Sequence, residues 1–452
     1  MISQILFLLL AAGALGFFGM QVNQIRKNIM LGRPDNRSGN RNERLKKMLL
    51  VAFGQQKMFQ RILPAVLHFF IYAAFLLTQI ELLEIFADGL SGSHRLFAPA
   101  LGGFYTFLIS FIEVLSLLAL ISTVIFLARR NLLKLPRFHK AEMNGWPKLD
   151  GNIILYLEIL LITFIFTMNG ADEVLHNRGL SHAAGAEGSG SFGFSISRWL
   201  GPALFGGITS EATLHTLERL GWWGHILVVF GFMVYLPKSK HFHIIMAFPN
   251  TWYSDLKPAG QFSSPQNIQE EIKAIMDPSY TPATLENPPH RFGAKDITDL
   301  TWKTLMDAYT CTECGRCTSV CPANLTGKKL SPRKIIMDIR DRMEEVQKYK
   351  LSPDEQGVLT GTEATAEAAS HTLLGHYVSE EELRACTTCN ACVEACPVNI
   401  NPVTPIIEMR RYLVMEESKM PDEWAGMSAN IENNGAPWAF PAADRFNWSE
   451  GV

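Results

Sequence analysis

The sequence predicts an all-α protein with two parts, a five-span transmembrane helical bundle followed by a helical soluble domain. One observation is the uneven hydrophobicity: apolar residues make up 48% of the 452 residues, and long apolar runs fill the first half whereas the second half is polar. The other is that all eight cysteines lie in the second half, in two runs of identical spacing. We therefore expect a membrane domain followed by a soluble one.

Each of five apolar runs is long enough to span a hydrocarbon core of about 30 Å. The runs cover residues 2–22, 62–86, 104–128, 152–170 and 222–248. The first run is followed rather than preceded by positive charge, which indicates a spanning helix and not a secretory signal peptide. Trp222, Trp223 and Trp252 lie near the ends of the last run, as expected of interfacial anchors.

The distribution of basic residues predicts the orientation of the bundle. Residues 26–61 contain ten Lys and Arg against two acids, and residues 129–150 contain six Lys and Arg. Because basic loops remain cytoplasmic, we expect the N-terminus outside and the soluble domain in the cytoplasm, with the bundle in a bacterial inner membrane. The net charge of −2 argues against a nucleic-acid partner.

The two cysteine runs share the spacing C-x2-C-x2-C-x3-C-P. They comprise Cys311, Cys314, Cys317 and Cys321 before Pro322, and Cys386, Cys389, Cys392 and Cys396 before Pro397. Zinc sites usually contain C-x2-C pairs separated by a longer spacer, and disulfides need an oxidising compartment. Three thiolates on a tight turn with a fourth close behind favour iron–sulfur clusters instead.

This spacing resembles that of bacterial two-cluster ferredoxins, in which the fourth cysteine of each run ligates the other cluster. The resemblance implies two 4Fe-4S clusters, one held by Cys311, Cys314, Cys317 and Cys396, and the other held by Cys386, Cys389, Cys392 and Cys321. A helix predicted at 296–309 leads into the first run, and helices predicted at 332–350 and 380–385 lie between the runs, so a helical ferredoxin fold suits residues 296–415 better than the compact small one.

The remaining segments are a linker and a tail. Residues 249–295, which include Asn287-Pro288-Pro289, are rich in Pro, Asn and Ser and carry at most one short helix, at 268–276. The membrane domain then covers residues 1–248. The tail, 416–452, contains several aromatics among Gly, Pro and Asn, so it is either disordered or a partner-docking surface.

Histidines within spans are functional candidates because an unpaired ionisable group is costly there. His68 in the second span and His243 in the fifth lie near the cytoplasmic end, where two facing imidazoles would hold a b-type haem. In a continuous fifth helix, His225 and His243 share a face about 27 Å apart and His241 points away, which favours His243. The alternative is that both are interfacial histidines with their heads in water.

His225 is the candidate ligand of a second haem on the outer side, where its partner would come from His94, His176, His182 or His215. Without a partner, His225 would line a quinone pocket or bond a backbone carbonyl. Two intramembrane acids, Glu113 and Glu158, are either proton carriers for a quinone or paired structural carboxylates.

Several motifs resemble a group of membrane oxidoreductases over residues 1–415. These are residues 311–317 (CTECGRC), Cys321-Pro322-Ala323, Leu330-Ser331-Pro332 and residues 237–243 (PKSKHFH). The five-span half is similar to the haem b subunit of respiratory nitrate reductase. The whole is similar to membrane subunits of heterodisulfide reductase and sulfite-reduction complexes, and to electron-transfer-flavoprotein:menaquinone oxidoreductases.

The resemblance implies electron transfer between a cytoplasmic partner, two 4Fe-4S clusters, haem b and menaquinone or another quinone, in either direction. The second span has one histidine where the nitrate reductase pattern has two, and no cysteine is left for the Cys-Cys-Gly repeats of heterodisulfide-type catalytic modules. Substrate chemistry is therefore expected on a separate subunit with such repeats, on an electron-transfer flavoprotein, or both. The alternative function is a membrane-anchored ferredoxin that acts as a redox sensor or docking scaffold without haem.

Overall fold

The computed structural model describes residues 1–133, 135–181, 192–258, 260–283 and 291–450. His182, the glycine- and serine-rich tract 183–191 and Asn287-Pro288-Pro289 lie outside them. The membrane half contains α1 (Ile2–Ile29), α2 (Arg41–Met48), α3 (Ile62–Ser91), α4 (Ala98–Leu101), α5 (Gly103–Asn131), α6 (Trp146–Asn177), α7 (Ser197–Phe205), α8 (Glu211–Tyr235) and α9 (His243–Trp252). Five of these, α1, α3, α5, α6 and α8, are long and apolar enough to cross a membrane, which confirms the predicted number of spans.

The soluble half is built from shorter helices and includes one short two-stranded antiparallel hairpin. In chain order they are α10 (Gln266–Met276), α11 (Trp302–Thr310), α12 (Arg316–Val320), α13 (Pro322–Leu325), α14 (Pro332–Tyr349), β1 (Ser352–Pro353), β2 (Leu359–Thr360), α15 (Ala366–Ser370), α16 (Glu380–Arg384), α17 (Ala391–Ala395), α18 (Val403–Met415) and α19 (Asp422–Asn434). The predicted all-α class is confirmed.

The fifth span differs from its prediction of 222–248. It begins at Glu211 and stops at Tyr235, and two short turns lead from it into α9. Pro237 cannot donate a backbone hydrogen bond, and Asp150 accepts hydrogen bonds from the Ser239 hydroxyl (2.7 Å) and the Lys240 N–H (3.1 Å). The break is therefore held by a buried carboxylate.

Trp222 consequently lies inside the bundle and not at its interface, so its prediction as an anchor is wrong. The Phe7 ring of α1 packs against Phe86 (centroids 5.5 Å apart), Trp222 (5.8 Å) and Phe230 (5.8 Å), which joins α1, α3 and α8. In α8, Gly221 allows close approach to α6, because a Cβ there would lie 2.5 Å from the backbone nitrogen of Met168.

The soluble half packs directly on one end of the bundle, which we call the cluster side. A single hydrophobic core runs from Ile25 and Ile29 of α1 to Leu305 of α11 and on to the cysteines. The Asn28 amide donates to the Tyr309 hydroxyl (2.7 Å) and to Gln347 (2.9 Å). Both basic loops, before α3 and before α6, lie on this side, as the charge distribution predicts.

Part of the predicted linker is tied to the membrane half. The guanidinium of Arg44 donates to the carbonyls of Trp252 (2.9 Å) and Ser254 (3.1 Å). The tail instead exposes its large aromatics, which are Trp424, Trp438, Phe440, Phe446 and Trp448.

Candidate redox centres

Both cysteine runs fold with the same backbone geometry. The first begins where α11 ends at Thr310, and the chain turns through left-handed conformations at Glu313 (φ +52°) and Gly315 (φ +69°) before α12. The second run repeats this with Thr388 (φ +55°) and Asn390 (φ +61°) before α17. In each run the N–H two residues after the first cysteine donates to that cysteine's sulfur at 3.4 Å. The repeated turn brings the first three sulfurs of each run together.

The cysteines line two cavities, and each cavity takes its fourth cysteine from the other run. The first cavity is lined by Cys311, Cys314, Cys317 and Cys396. The second cavity is lined by Cys321, Cys386, Cys389 and Cys392. The packing of α12 against α17 produces the exchange, because each helix ends at the cysteine that enters the opposite cavity.

All eight cysteines are free, and four of them line each cavity. Burial raises the pKa of the Cys311, Cys392 and Cys396 thiols to about 12. Such thiols stay protonated at neutral pH unless a metal binds, and coordination deprotonates a thiol outright. Four converging sulfurs in a largely apolar cavity therefore fit a 4Fe-4S cluster.

The two cavities differ in exposure and charge. Arg316 and Arg333, which line the first cavity, are buried, with 5% and 1% of their surface accessible. The second cavity lies nearer the surface, where Cys389 is exposed. The first cavity is the inner and more positively charged one.

The first cavity rests on the turn that leads into α3. Arg316 donates to the carbonyls of Lys57 (3.2 Å) and Met58 (3.3 Å), and Arg61 donates to the Ser319 hydroxyl (2.7 Å). His68 lies seven residues after Arg61, or about 10 Å along a helix. The first cavity and His68 are thus joined by a short segment.

A buried ion cluster joins the first cysteine run to the segment after α8. Glu313 accepts hydrogen bonds from Lys240 and Arg340, and all three side chains are largely buried. Burial by itself would raise the pKa of Glu313, but Arg340 and Lys240 hold it below its ordinary value. Glu313 is therefore a charged contact between the two halves.

Replacing Glu313 by glutamine should destabilise the soluble half by about 3 kcal/mol, because two buried cations lose their carboxylate. The measurement is thermal unfolding followed by loss of cluster absorbance. Glu344→Gln is the matched control: Glu344 faces the same Arg340 at 4.0 Å but its side chain is 55% exposed, so it should cost less than about 1 kcal/mol. Equal Tm values for the two variants would contradict the role of Glu313.

The structure brings His68 and His243 together, with ring centroids 6.5 Å apart and planes inclined by 43°. Two imidazoles that share one metal, with metal–nitrogen bonds of about 2 Å, place their centroids roughly 6 Å apart. The Nδ1 atom of His68 lies 3.1 Å from the Gln55 side-chain oxygen, and that of His243 lies 3.0 Å from the Lys240 carbonyl. Neither Nε2 makes a hydrogen bond with a described residue, so each is available to a ligand, as is usual in metal-binding histidines.

The fifth span is not one continuous helix from His225 to His243, as the sequence predicts, but is broken after Tyr235. The break after Tyr235 sets the direction of His243, so its angle to His225 along one helix no longer applies. His241 lies beside His243 with ring centroids 5.6 Å apart. Its ring also packs against Phe232, with centroids 5.0 Å apart.

His225 is buried in the bundle, and its Nδ1 lies 3.3 Å from the Leu161 carbonyl. Among the described residues, no ring contact or hydrogen bond joins it to another histidine. His94 pairs with Asp172 (2.8 Å), His176 packs on Phe192, and His215 lies 3.8 Å from Glu211. The structure thus shows the carbonyl contact of His225 and, among the described residues, no second imidazole beside it, while the candidate partner His182 lies outside those residues.

Sequence reasoning missed a buried ion network at the end of the bundle away from the cluster side. Arg95, which is 1% exposed, donates to Asp172 (3.1 Å) and Asn169 (2.5 Å). Its backbone N–H donates to Asp88 (2.9 Å). The sequence does contain one sign of this network: Arg95 is the single basic residue of the loop that follows the second span, whose end is rich in acidic residues.

A five-helix membrane bundle with a two-cavity cysteine domain on one end defines a membrane-bound iron–sulfur protein. Residues 310–400 match the family model of the 4Fe-4S dicluster domain. The chain is 29% identical over 467 residues to the probable iron-sulfur-binding oxidoreductase FadF of Bacillus subtilis, covering 99% of this chain and 60% of that one. Its relatives are thus iron–sulfur oxidoreductases.

Two further relatives are described as a quinone oxidoreductase and as a membrane-anchored ferredoxin. The EtfAB:quinone oxidoreductase of Syntrophomonas wolfei is 29% identical over 420 residues, which are 90% of this chain and 54% of that one. A probable membrane-anchored ferredoxin of Chromohalobacter salexigens is 34% identical over 170 residues, 35% of this chain and 24% of that one. The chain therefore spans just over half the length of the two relatives that cover most of it. No solved structure is significantly similar to the chain.

Proposed function

We propose that the chain is a membrane-bound electron-transfer subunit that connects a partner on the cluster side with menaquinone or another quinone in the bilayer. The observation that carries the proposal is that the first cavity rests on the turn leading to His68, which faces His243, and exchanges a cysteine with the second cavity, whose Cys389 is exposed. When bound, two 4Fe-4S clusters and a b-type haem supply one-electron carriers between a two-electron partner and a two-electron quinone.

The residues have distinct roles in this proposal. Cys311, Cys314, Cys317 and Cys396 hold the inner cluster, and Cys321, Cys386, Cys389 and Cys392 hold the outer one. His68 and His243 hold the haem, and Gln55 and the Lys240 carbonyl fix the imidazole orientation. The positive charges of Arg316 and Arg333 stabilise the additional negative charge of a reduced inner cluster, which favours electron transfer from the outer cluster to the inner one. His225 stays a candidate for a second haem.

The partner approaches the second cavity, because Cys389 is the exposed cysteine. One relative is named for its reaction with an electron-transfer flavoprotein and a quinone, which supports a flavoprotein partner here. A subunit with Cys-Cys-Gly repeats is the other candidate. The basic loops support a bacterial inner-membrane location with the cluster side in the cytoplasm.

A second candidate function is a membrane-anchored ferredoxin without haem, which the similarity to the relative of that description favours. A reduced-minus-oxidised optical spectrum of the purified chain, with haem and non-haem iron counted per chain, separates the two. The electron-transfer subunit requires at least one b-type haem and about eight non-haem irons. Eight irons without haem would leave the anchored ferredoxin.

A further inference from the structure

The two intramembrane acids, Glu113 and Glu158, have different surroundings in the structure, although the sequence does not distinguish them. Glu113 accepts hydrogen bonds from the N–H groups of Ile196 (2.8 Å) and Ser197 (3.1 Å), from the Ser197 hydroxyl (2.5 Å) and from the Asn169 amide (3.1 Å). Its carboxylate is fully engaged in fixing the start of α7. Glu113 is therefore a structural carboxylate.

Glu158, in contrast, makes no hydrogen bond with any described residue. Its nearest ionisable neighbour is His241, whose Nε2 lies 4.0 Å from a carboxylate oxygen. The gap is too long for a hydrogen bond, and the two side chains keep 19% and 17% of their accessible surface. A carboxylate within an apolar span without a bonding partner is costly unless a ligand engages it.

The Glu158–His241 pair lies next to the histidine pair. His241 contacts His243 edge to face, with planes inclined by 85°, and packs against the Phe232 ring at 5.0 Å. The ring nitrogens of His241 likewise make no hydrogen bond with the described residues. Glu158 lies eight residues after Asp150, about 12 Å deeper along α6. The pair thus lies in the cluster-side half of the bundle.

We infer that Glu158 and His241 bind the headgroup of a quinone beside His243, an assignment that rests on the proposed function. His241 donates a hydrogen bond to one quinone oxygen, and Phe232 provides an aromatic surface. Reduction to the quinol consumes two electrons and two protons. The electrons arrive one at a time from the carriers on the cluster side. Glu158 supplies a proton as each O–H bond of the quinol forms. Between the two transfers, the Glu158 carboxylate is reprotonated from water. Quinol oxidation is the reverse.

The test uses the full-length chain with its cofactors in lipid nanodiscs. The probe is menadiol, and the rate of haem reduction is followed anaerobically by stopped flow. Glu158→Gln should slow this rate at least tenfold, while haem content, iron content and the fully reduced spectrum stay as in the wild type. His241→Asn should raise the menadiol concentration needed for half-maximal rate severalfold.

Glu81→Gln is the matched control, because Glu81 also has a carboxylate oxygen without a hydrogen-bond partner among the described residues but lies in the far half of α3. Its rate should equal that of the wild type. A wild-type rate in Glu158→Gln, a slowed rate confined to Glu81→Gln, or loss of haem from Glu158→Gln would each overturn the assignment. A wild-type chain that holds no haem would instead overturn the proposed function.

Discussion

Replacing His68 by alanine should abolish the b-type haem spectrum of the purified protein and leave about eight non-haem irons in place. The reason is geometric: His68 supplies one of two imidazoles 6.5 Å apart, and His243 alone would offer a haem one imidazole instead of two. The irons remain because all eight cysteines lie in the soluble half. The measurement is a reduced-minus-oxidised spectrum with haem quantified per chain.

His139→Ala is the control for this variant. His139 lies in the basic loop before α6, where its ring bonds the Leu135 carbonyl at 3.1 Å, so its loss should leave the haem content unchanged. An unaltered haem spectrum in His68→Ala would end the assignment of His68. Loss of the irons together with the haem would mean that the substitution disrupts the fold of the protein, and would not identify His68 as a haem ligand.

Two variants that each lack two cysteines should differ in iron content by one 4Fe-4S cluster. Cys311 and Cys396 line the same cavity, so Cys311→Ala with Cys396→Ala should remove one cluster and leave about four irons per chain. Cys386→Ala with Cys396→Ala affects both cavities, so it should leave close to none. Iron and sulfide analysis, with EPR of the reduced protein, makes the comparison.

Both double variants remove two cysteines, so each is the control for the other. If each cluster were held by one run alone, the outcomes would be reversed. Cys386→Ala with Cys396→Ala would then keep four irons, and Cys311→Ala with Cys396→Ala would keep almost none. That result would contradict the exchanged fourth cysteine.

The number of spans, the helical class and the soluble domain were predictable because each depends on local sequence. Twenty consecutive apolar residues define a span wherever they occur, and the spacing of each cysteine run fixes its turn. The short helix at 268–276 was predicted close to its observed bounds, Gln266–Met276. These features need no knowledge of distant contacts.

The break after Tyr235 was not predictable, because it depends on a distant residue. Pro237 alone allows a kink in a helix, but Asp150, which lies 89 residues before Ser239, holds the chain in its new direction. The contact between the two halves was missed for the same reason. Glu313 seemed an ordinary residue between cysteines until the structure placed Lys240 and Arg340 beside it.

The most direct test of the account follows electrons across the whole chain. Protein in nanodiscs that contain long-chain menaquinone is reduced photochemically on the cluster side, and cluster and haem signals are recorded as the quinone is reduced. In the wild type, clusters and haem should reoxidise together as quinol forms, whereas in His68→Ala the clusters should stay reduced. Clusters that reoxidise equally fast in both proteins would contradict a path through the His68–His243 pair.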